Sequence, residues 1–139
     1  MLVFVNMFRM SNAGEGVFNL IGLKEIREFA MTLPEVEEGP PVRAARRIAA
    51  FKVAGKSFLG VEIGEATMTI NLGQERAKIM TSERPEVYEE IWRNRQIFMG
   101  LRVQLSKIPA RRVRELIEES WRDTAPNRVI EAYEKQRLP

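Results

Sequence analysis

The chain has 139 residues, is 45% hydrophobic and 29% charged, and carries a formal net charge of +3. That is the profile of one globular domain able to bury a core. It contains no cysteine, no histidine and a single aspartate, Asp123. These absences exclude disulfides, thiolate metal ligation, histidine-based nucleophilic sites and the usual zinc sites, leaving glutamate as the main acid.

Residues 1–19 begin apolar (MLVFVNMF) and loosen into SNAGEG. The run is too short to span a membrane and lacks the basic start and cleavage site of a signal peptide. It reads as an extension, either a flexible tail, a mis-started segment with Met10 as the true start, or a short extra strand. Residues 20–139 read as one α/β domain. From Leu20 to Leu33 the positions Leu23, Ile26, Phe29, Ala30 and Leu33 follow a helical stripe, closed by Pro34. An irregular segment follows, with an acidic cluster (Glu35, Glu37, Glu38), a Gly-Pro-Pro break and a basic cluster (Arg43, Arg46, Arg47).

Ile48 to Leu72 reads as three antiparallel strands separated by glycine turns. A two-residue Gly64-Glu65 loop pairs Ile63 with Ala66, Val61 with Met68, Leu59 with Ile70 and Ser57 with Leu72. Glu62, Thr67, Thr69 and Asn71 then fall on the opposite face. The first hairpin has two solutions. A three-residue loop, Ala54-Gly55-Lys56, pairs Phe51 with Leu59 and Ala49 with Val61 and leaves one clean core face. A two-residue Gly55-Lys56 loop puts Phe51 and Phe58 together as an apolar patch on the second face.

A short helix over GQERAKIMTSERP would turn Ala77, Ile79 and Met80 inward. Pro85 opens a second helical turn with Val87, Tyr88, Ile91 and Trp92. Gln96 to Leu105 reads as a further strand, with Phe98, Gly100, Arg102 and Gln104 on one face and Ile97, Met99, Leu101, Val103 and Leu105 on the other. Pro109 suits the first position of a long helix. Its buried stripe is Val113, Leu116, Ile117, Ser120, Trp121 and Thr124, with Arg111–Glu115, Arg114–Glu118 and Glu118–Arg122 as i,i+4 charge pairs. After Pro126 a final helix, Asn127 to Arg137, is anchored by Val129, Ile130 and Tyr133.

Three features suggest chemistry. Ala50-Phe-Lys-Val-Ala-Gly-Lys-Ser57 satisfies a loose phosphate-loop pattern, but its spacers alternate like a strand and another strand follows Ser57, so a hairpin turn is expected. The Glu35, Glu37, Glu38 cluster has the residue type for a divalent metal or an acid–base pair, and without a histidine it reads as a solvated loop. The basic residues carry more. Arg43, Arg46, Arg47, Lys52 and Lys56 follow one another without an acid. A second set, Arg93, Arg95, Arg102, Lys107, Arg111, Arg112 and Arg114, does the same. With the later strand in the sheet, Arg102 would share a face with Lys52, and the Gly55-Lys56 hairpin would form a wing able to approach phosphates.

Several segments carry a resemblance to a known family: LPEVEEG after the first helix, FKVAGKSF, a helix end at Trp92-Arg93, a strand, and ELIEESWRDTAP near the C-terminus. Across roughly Leu20 to Arg128 the chain resembles the MmcQ/YjbR family. The resemblance implies a small sandwich likened to CyaY (frataxin) and to secretion chaperones, with helices on an antiparallel sheet. It also implies a DNA-binding label attached to a double-wing arrangement, and no catalytic residues. The family's aromatic positions fall on Pro41 to Ala45 and Phe98 to Leu101, where this chain lacks an aromatic in the first segment and has Leu101 after Gly100. The first helix lacks the acidic ridge of iron-binding frataxins.

The expectation is therefore an α+β fold: a three-strand meander plus at least one later strand, covered on one face by the first helix and the Arg111–Thr124 helix. The expected function is a non-enzymatic, cytoplasmic domain that binds DNA or another nucleic acid through Arg43, Arg46, Arg47, Lys52, Lys56 and Arg102. No cofactor, metal or catalytic residue is expected. The alternative is a chaperone-like protein-interaction module, a homodimer using an apolar sheet face around Phe51 and Phe58. An enzyme with a glutamate-only site ranks third.

Overall fold

The computed structural model of the chain describes residues 21–40, 42–43, 47–64 and 66–138. The readings of residues 1–19, of Leu20 and of Arg46 lie outside them. The elements in chain order are α1 (Leu23–Ala30), β1 (Val36–Glu38), β2 (Val42–Arg43), β3 (Arg47–Val53), β4 (Lys56–Glu62), β5 (Thr67–Ile70), α2 (Gln74–Glu83), β6 (Tyr88–Arg93), β7 (Ile97–Gln104), α3 (Ala110–Thr124) and α4 (Asn127–Arg137). Every pairing is antiparallel, and the sheet order is β1-β3-β4-β5-β7-β6, with β2 also on β3. The α+β expectation holds.

The β4–β5 register is the expected one, Leu59 opposite Ile70 and Val61 opposite Met68. The ladder stops there: Asn71 N–H reaches the Phe58 carbonyl at 3.3 Å, in place of a Ser57–Leu72 pair. The first hairpin combines parts of both solutions. Phe51 faces Leu59 and Ala49 faces Val61, as the longer loop requires, yet Val53 faces Lys56 across a two-residue Ala54-Gly55 turn. The extra residue is taken up as a bulge at Phe58, which lets Phe58 and Leu59 both point into the core. Phe51 and Phe58 are buried there, so they form no apolar face of their own. Gly55, at φ +82°, sits in a hairpin turn and opens no helix, which removes the phosphate-loop reading.

Four segments differ from expectation. The Gly-Pro-Pro stretch is flanked by paired residues, so Val36–Glu38 and Val42–Arg43 form one interrupted edge strand along β3. Prolines cannot donate to a ladder and sit well at such an edge. Tyr88–Arg93 is a strand and no helical turn. It pairs with β7 through a tight turn in which Asn94 and Arg95 both have positive φ, 53° and 61°, the pattern of a two-residue hairpin loop. In β7 a bulge opposite Ile91–Trp92 shifts the alternation. Leu101 and Val103 face the core as expected, whereas Ile97 and Met99 are nearly half exposed and Phe98 packs on the core instead. In α2, Ala77 and Met80 point inward but Ile79 is exposed, because it lies about 200° around the helix from Ala77.

One core joins the inner face of the sheet (Phe51, Leu59, Met68, Leu101) to the helices through Ile26, Ala77, Leu116 and Trp121. Gly22 N–H donates to Glu25 Oε1 at 2.9 Å, which starts α1 and holds the Glu25 carboxyl below its ordinary range. Ser120 is the polar rivet of α3. Its Oγ donates to the Phe58 carbonyl at 2.6 Å and accepts from Asn71 N–H at 2.8 Å, stitching the helix to the bulge of β4 and the end of β5. Ser120→Ala leaves both backbone groups without that partner. The expected loss is about 1–3 kcal/mol in denaturant unfolding; a loss below about 0.5 kcal/mol would mean the helix contributes nothing through this contact. Arg111–Glu115 and Glu118–Arg122 form as i,i+4 pairs, while Arg112 takes Glu115 and Glu119.

Candidate nucleic-acid interface

Among the described residues no helix is packed on the outer face of the sheet. Across it Ala50, Gly60, Thr69, Arg102 and Glu89 form one cross-strand row. Lys52, two residues along from Ala50, shares this face, so the expected common face of Lys52 and Arg102 exists. Arg102, however, is already engaged. It donates to Glu89 at 2.9 Å and to Glu62 at 3.3 Å, and Glu62 also accepts from Thr67 Oγ1 at 2.6 Å. Glu62 is only 4% exposed, so a guanidinium beside it is held by a carboxylate that burial has stripped of water.

The six sequence candidates do not form one cluster. Arg43 faces Arg47 across the β2–β3 ladder, at the start of β3. Lys52 and Lys56 lie at its far end, about 15–20 Å away at strand rise. By register Lys56 faces Val53 and so belongs to the helix side, unlike Lys52. Arg46 lies outside the described residues.

A different grouping emerges from strand direction. β3 and β6 run the same way, so the Ala54-Gly55 and Asn94-Arg95 turns project from one end of the sheet. Their centres are three strand spacings apart, about 14 Å. The first turn carries exposed Lys52 and Lys56, the second exposed Arg93 and Arg95. None of the four makes an ion pair with a described residue. Glu37 is the cross-strand neighbour of Lys52, the one carboxylate facing this set in the ladder.

Elsewhere most of the described arginines are neutralised, Arg47 and Arg114 excepted. Arg27 binds Glu38 at 2.6 Å, Arg128 binds Glu35 at 2.8 Å, Arg122 binds Glu134 at 2.6 Å, and Arg76 binds Glu119. The guanidiniums hold the Glu38, Glu35 and Glu134 carboxyls below the usual carboxylate range. This dissolves the acidic cluster as a site. Glu35 reaches toward α4, Glu38 toward α1, and Glu37 lies beside Lys52; among the described residues no group of acids is set to hold a metal.

Arg95 is the residue the sequence signals least. A positive φ costs a non-glycine residue about 1–2 kcal/mol, and a hairpin tip with no glycine gave no turn signal. Between the two turns the outer face dips into a trough of about 640 Å³, lined by Ile48, Ala50, Ile91, Trp92, Met99 and Arg102 among others. Trp92 is 38% exposed, packs edge-on to Phe98 at 5.5 Å and donates from Nε1 to Glu90 at 3.0 Å.

The model of the YjbR family matches residues 31–123. The chain belongs to the YjbR family. The matched span runs from the end of α1 through α3, so it includes the whole sheet and both projecting hairpins. A crystal structure of a Deinococcus radiodurans protein, DR2400, with a DUF419 domain, is similar in fold: TM-score 0.58, 17% identity, covering 73% of this chain and 77% of that one. No curated protein matches the chain in sequence. No helix among the described residues is long and apolar enough to cross a membrane.

Proposed function

We propose that this YjbR-family domain is a non-enzymatic module that binds nucleic acid through the end of the sheet where its two hairpins project. The observation that carries the reading is the partition of its cations. Among the described residues nine arginines are tied to glutamates, whereas Lys52, Lys56, Arg93 and Arg95 extend from two neighbouring turns without an ion pair to a described residue. Lys24, Arg47, Lys78, Lys107, Arg114 and Lys135 make none either, but none of these sits at a hairpin tip. Unpaired cations on a protruding turn repel one another and gain most when a phosphate chain replaces their counterions. Arg95 supports this further, since its backbone conformation suits glycine and its charge is what glycine would lack. The contact set is thus Lys52, Lys56, Arg93 and Arg95, with Arg43 and Arg47 as a separate basic pair at the other end and Arg102 serving the sheet.

Fluorescence anisotropy of labelled duplex and single-stranded DNA, from low to moderate salt, tests it. Four phosphate contacts predict a log–log salt slope of roughly −3 to −4 on duplex. Arg93→Gln with Arg95→Gly should flatten that slope by roughly 2, while the glycine relieves the turn and leaves the fold as stable as before. Absence of binding at low salt, or equal binding by the variant, rejects the reading. A second reading, a protein-interaction module, is favoured by the trough and its exposed Trp92 and Met99. It predicts binding that ignores both salt and Arg95→Gly.

A further inference from the structure

The two edges of the sheet are treated differently. At one edge the ladder is broken between Glu38 and Val42, with Pro40 in the gap, and a broken ladder holding a proline keeps another strand from adding there. The other edge is β6, six residues without glycine, proline or an extra residue of its own, and among the described residues no strand lies beyond it. We propose that a second copy of this chain adds to β6, antiparallel, about a two-fold axis at Ile91. This inference stands on the edge alone; in such a dimer Arg93 faces Glu89 of the partner subunit, which leaves Lys52, Lys56 and Arg95 for phosphates.

The backbone fixes which registers are possible. Gln104 N–H donates to the Val87 carbonyl at 2.9 Å, so with Glu89 facing Arg102 and Ile91 facing Gly100, residues 87, 89 and 91 direct their groups into β7. Alternation turns those of Glu90 and Trp92 outward, together with the Tyr88 carbonyl, while Tyr88 N–H is taken by the Arg84 carbonyl at 3.1 Å. Two copies must bring these outward groups together, which requires the axis to pass through a residue and not between two. An axis at Glu90 would set two carboxylates directly opposite each other, a destabilising pair. An axis at Trp92 would carry the ladder into the Asn94-Arg95 turn. An axis at Ile91 pairs Glu90 with Trp92 through hydrogen bonds in both directions. It also sets Glu89 opposite Arg93 of the partner subunit, twice by symmetry, and brings the two Ile91 side chains together.

The side chains agree with that register. Glu89 and Arg93 are both exposed, and Glu89, which accepts from its own Arg102 at 2.9 Å, has a carboxylate with room for the partner's Arg93 as well. The Trp92 indole, held by Glu90, stands at the same edge. Ile91 lines the trough, and a two-fold perpendicular to the sheet keeps both open faces on one side. The two troughs then become neighbours on one continuous twelve-strand surface, six strands from each copy if β1 and β2 are counted as one.

Because the chain has no cysteine, a single introduced thiol reads the register. In a non-hydrogen-bonded antiparallel pair the Cα atoms lie about 4.5 Å apart, within disulfide range. Mild oxidation of the full chain carrying Ile91→Cys should give a covalent dimer; Lys56→Cys, more exposed and on the other hairpin, should not. Sedimentation of the cysteine-free chain without nucleic acid should show a dimer that grows with protein concentration. Arg93→Glu, which sets two acids against Glu89, should weaken it at least about tenfold. A chain that stays monomeric at several hundred micromolar overturns the proposal. So does a dimer indifferent to Arg93→Glu, or an Ile91→Cys chain that cross-links no faster than Lys56→Cys.

Discussion

Gly100→Ala is expected to cost about 3 kcal/mol or more of unfolding free energy, measured from the denaturant midpoint with an unchanged slope. Gly100 has φ +146°, and a Cβ placed there would lie 2.7 Å from the Ile70 carbonyl oxygen. Both penalties fall on backbone. The residue sits beside the β7 bulge, opposite Ile91 of β6 and next to Leu101, whose pair with Ile70 closes the β5 ladder. Neither neighbour can retreat without loosening a ladder. Gly60→Ala is the internal comparison. Its Cβ would meet the Ile48 Cγ2 methyl at 3.2 Å, and a side chain on the open face can turn aside, so the cost should stay below about 1 kcal/mol. Equal losses at the two glycines would refute the account of a backbone clash.

Trp121→Ala is expected to remove about 3–5 kcal/mol, and Trp121→Phe about 1–2 kcal/mol. Trp121 is fully buried on α3, and its ring meets Tyr133 of α4 edge-on at 5.0 Å. Its Nε1 donates to the Pro34 carbonyl at 3.1 Å, just after α1. One side chain therefore joins three elements that have no strand pairing to hold them. The phenylalanine variant separates the two parts of the loss: it retains much of the apolar contact and leaves the Pro34 carbonyl without its donor. Denaturant unfolding of both variants checks this. A phenylalanine variant as stable as the parent would show that the hydrogen bond contributes nothing.

How much of this was legible in the sequence varies by element. The β4–β5 register and the α3 stripe were, because each has one polar and one apolar face with little room for an alternative. The strand β6 was not. Val87, Tyr88, Ile91 and Trp92 recur at helical spacing, and the Asn94-Arg95 turn lacks the glycine that marks a hairpin. The bulges at Phe58 and Met99 were hidden for a similar reason: a single inserted residue moves the faces without altering composition. At the candidate interface, the acid-free runs rightly drew attention to cations, but sequence distance says nothing about ion pairs across strands. Arg102 looked free because Glu62 is forty positions away in the chain, and β5 and β7 bring the two together. Arg93 and Arg95 became a wing only once β6 was a strand.

The topology also sets an order of assembly. β3–β4, β4–β5 and β6–β7 are hairpins that each close a short loop, whereas β5 meets β7 only after the chain has gone through α2 and β6. The sheet is two local pieces joined at one distant seam. Closing a loop of that length is the larger entropic step, so folding speed should be governed by docking of the β6–β7 hairpin onto the meander. Until the seam closes, β5 and β7 both present unpaired edges, and the growing chain is most open to pairing with the wrong strand.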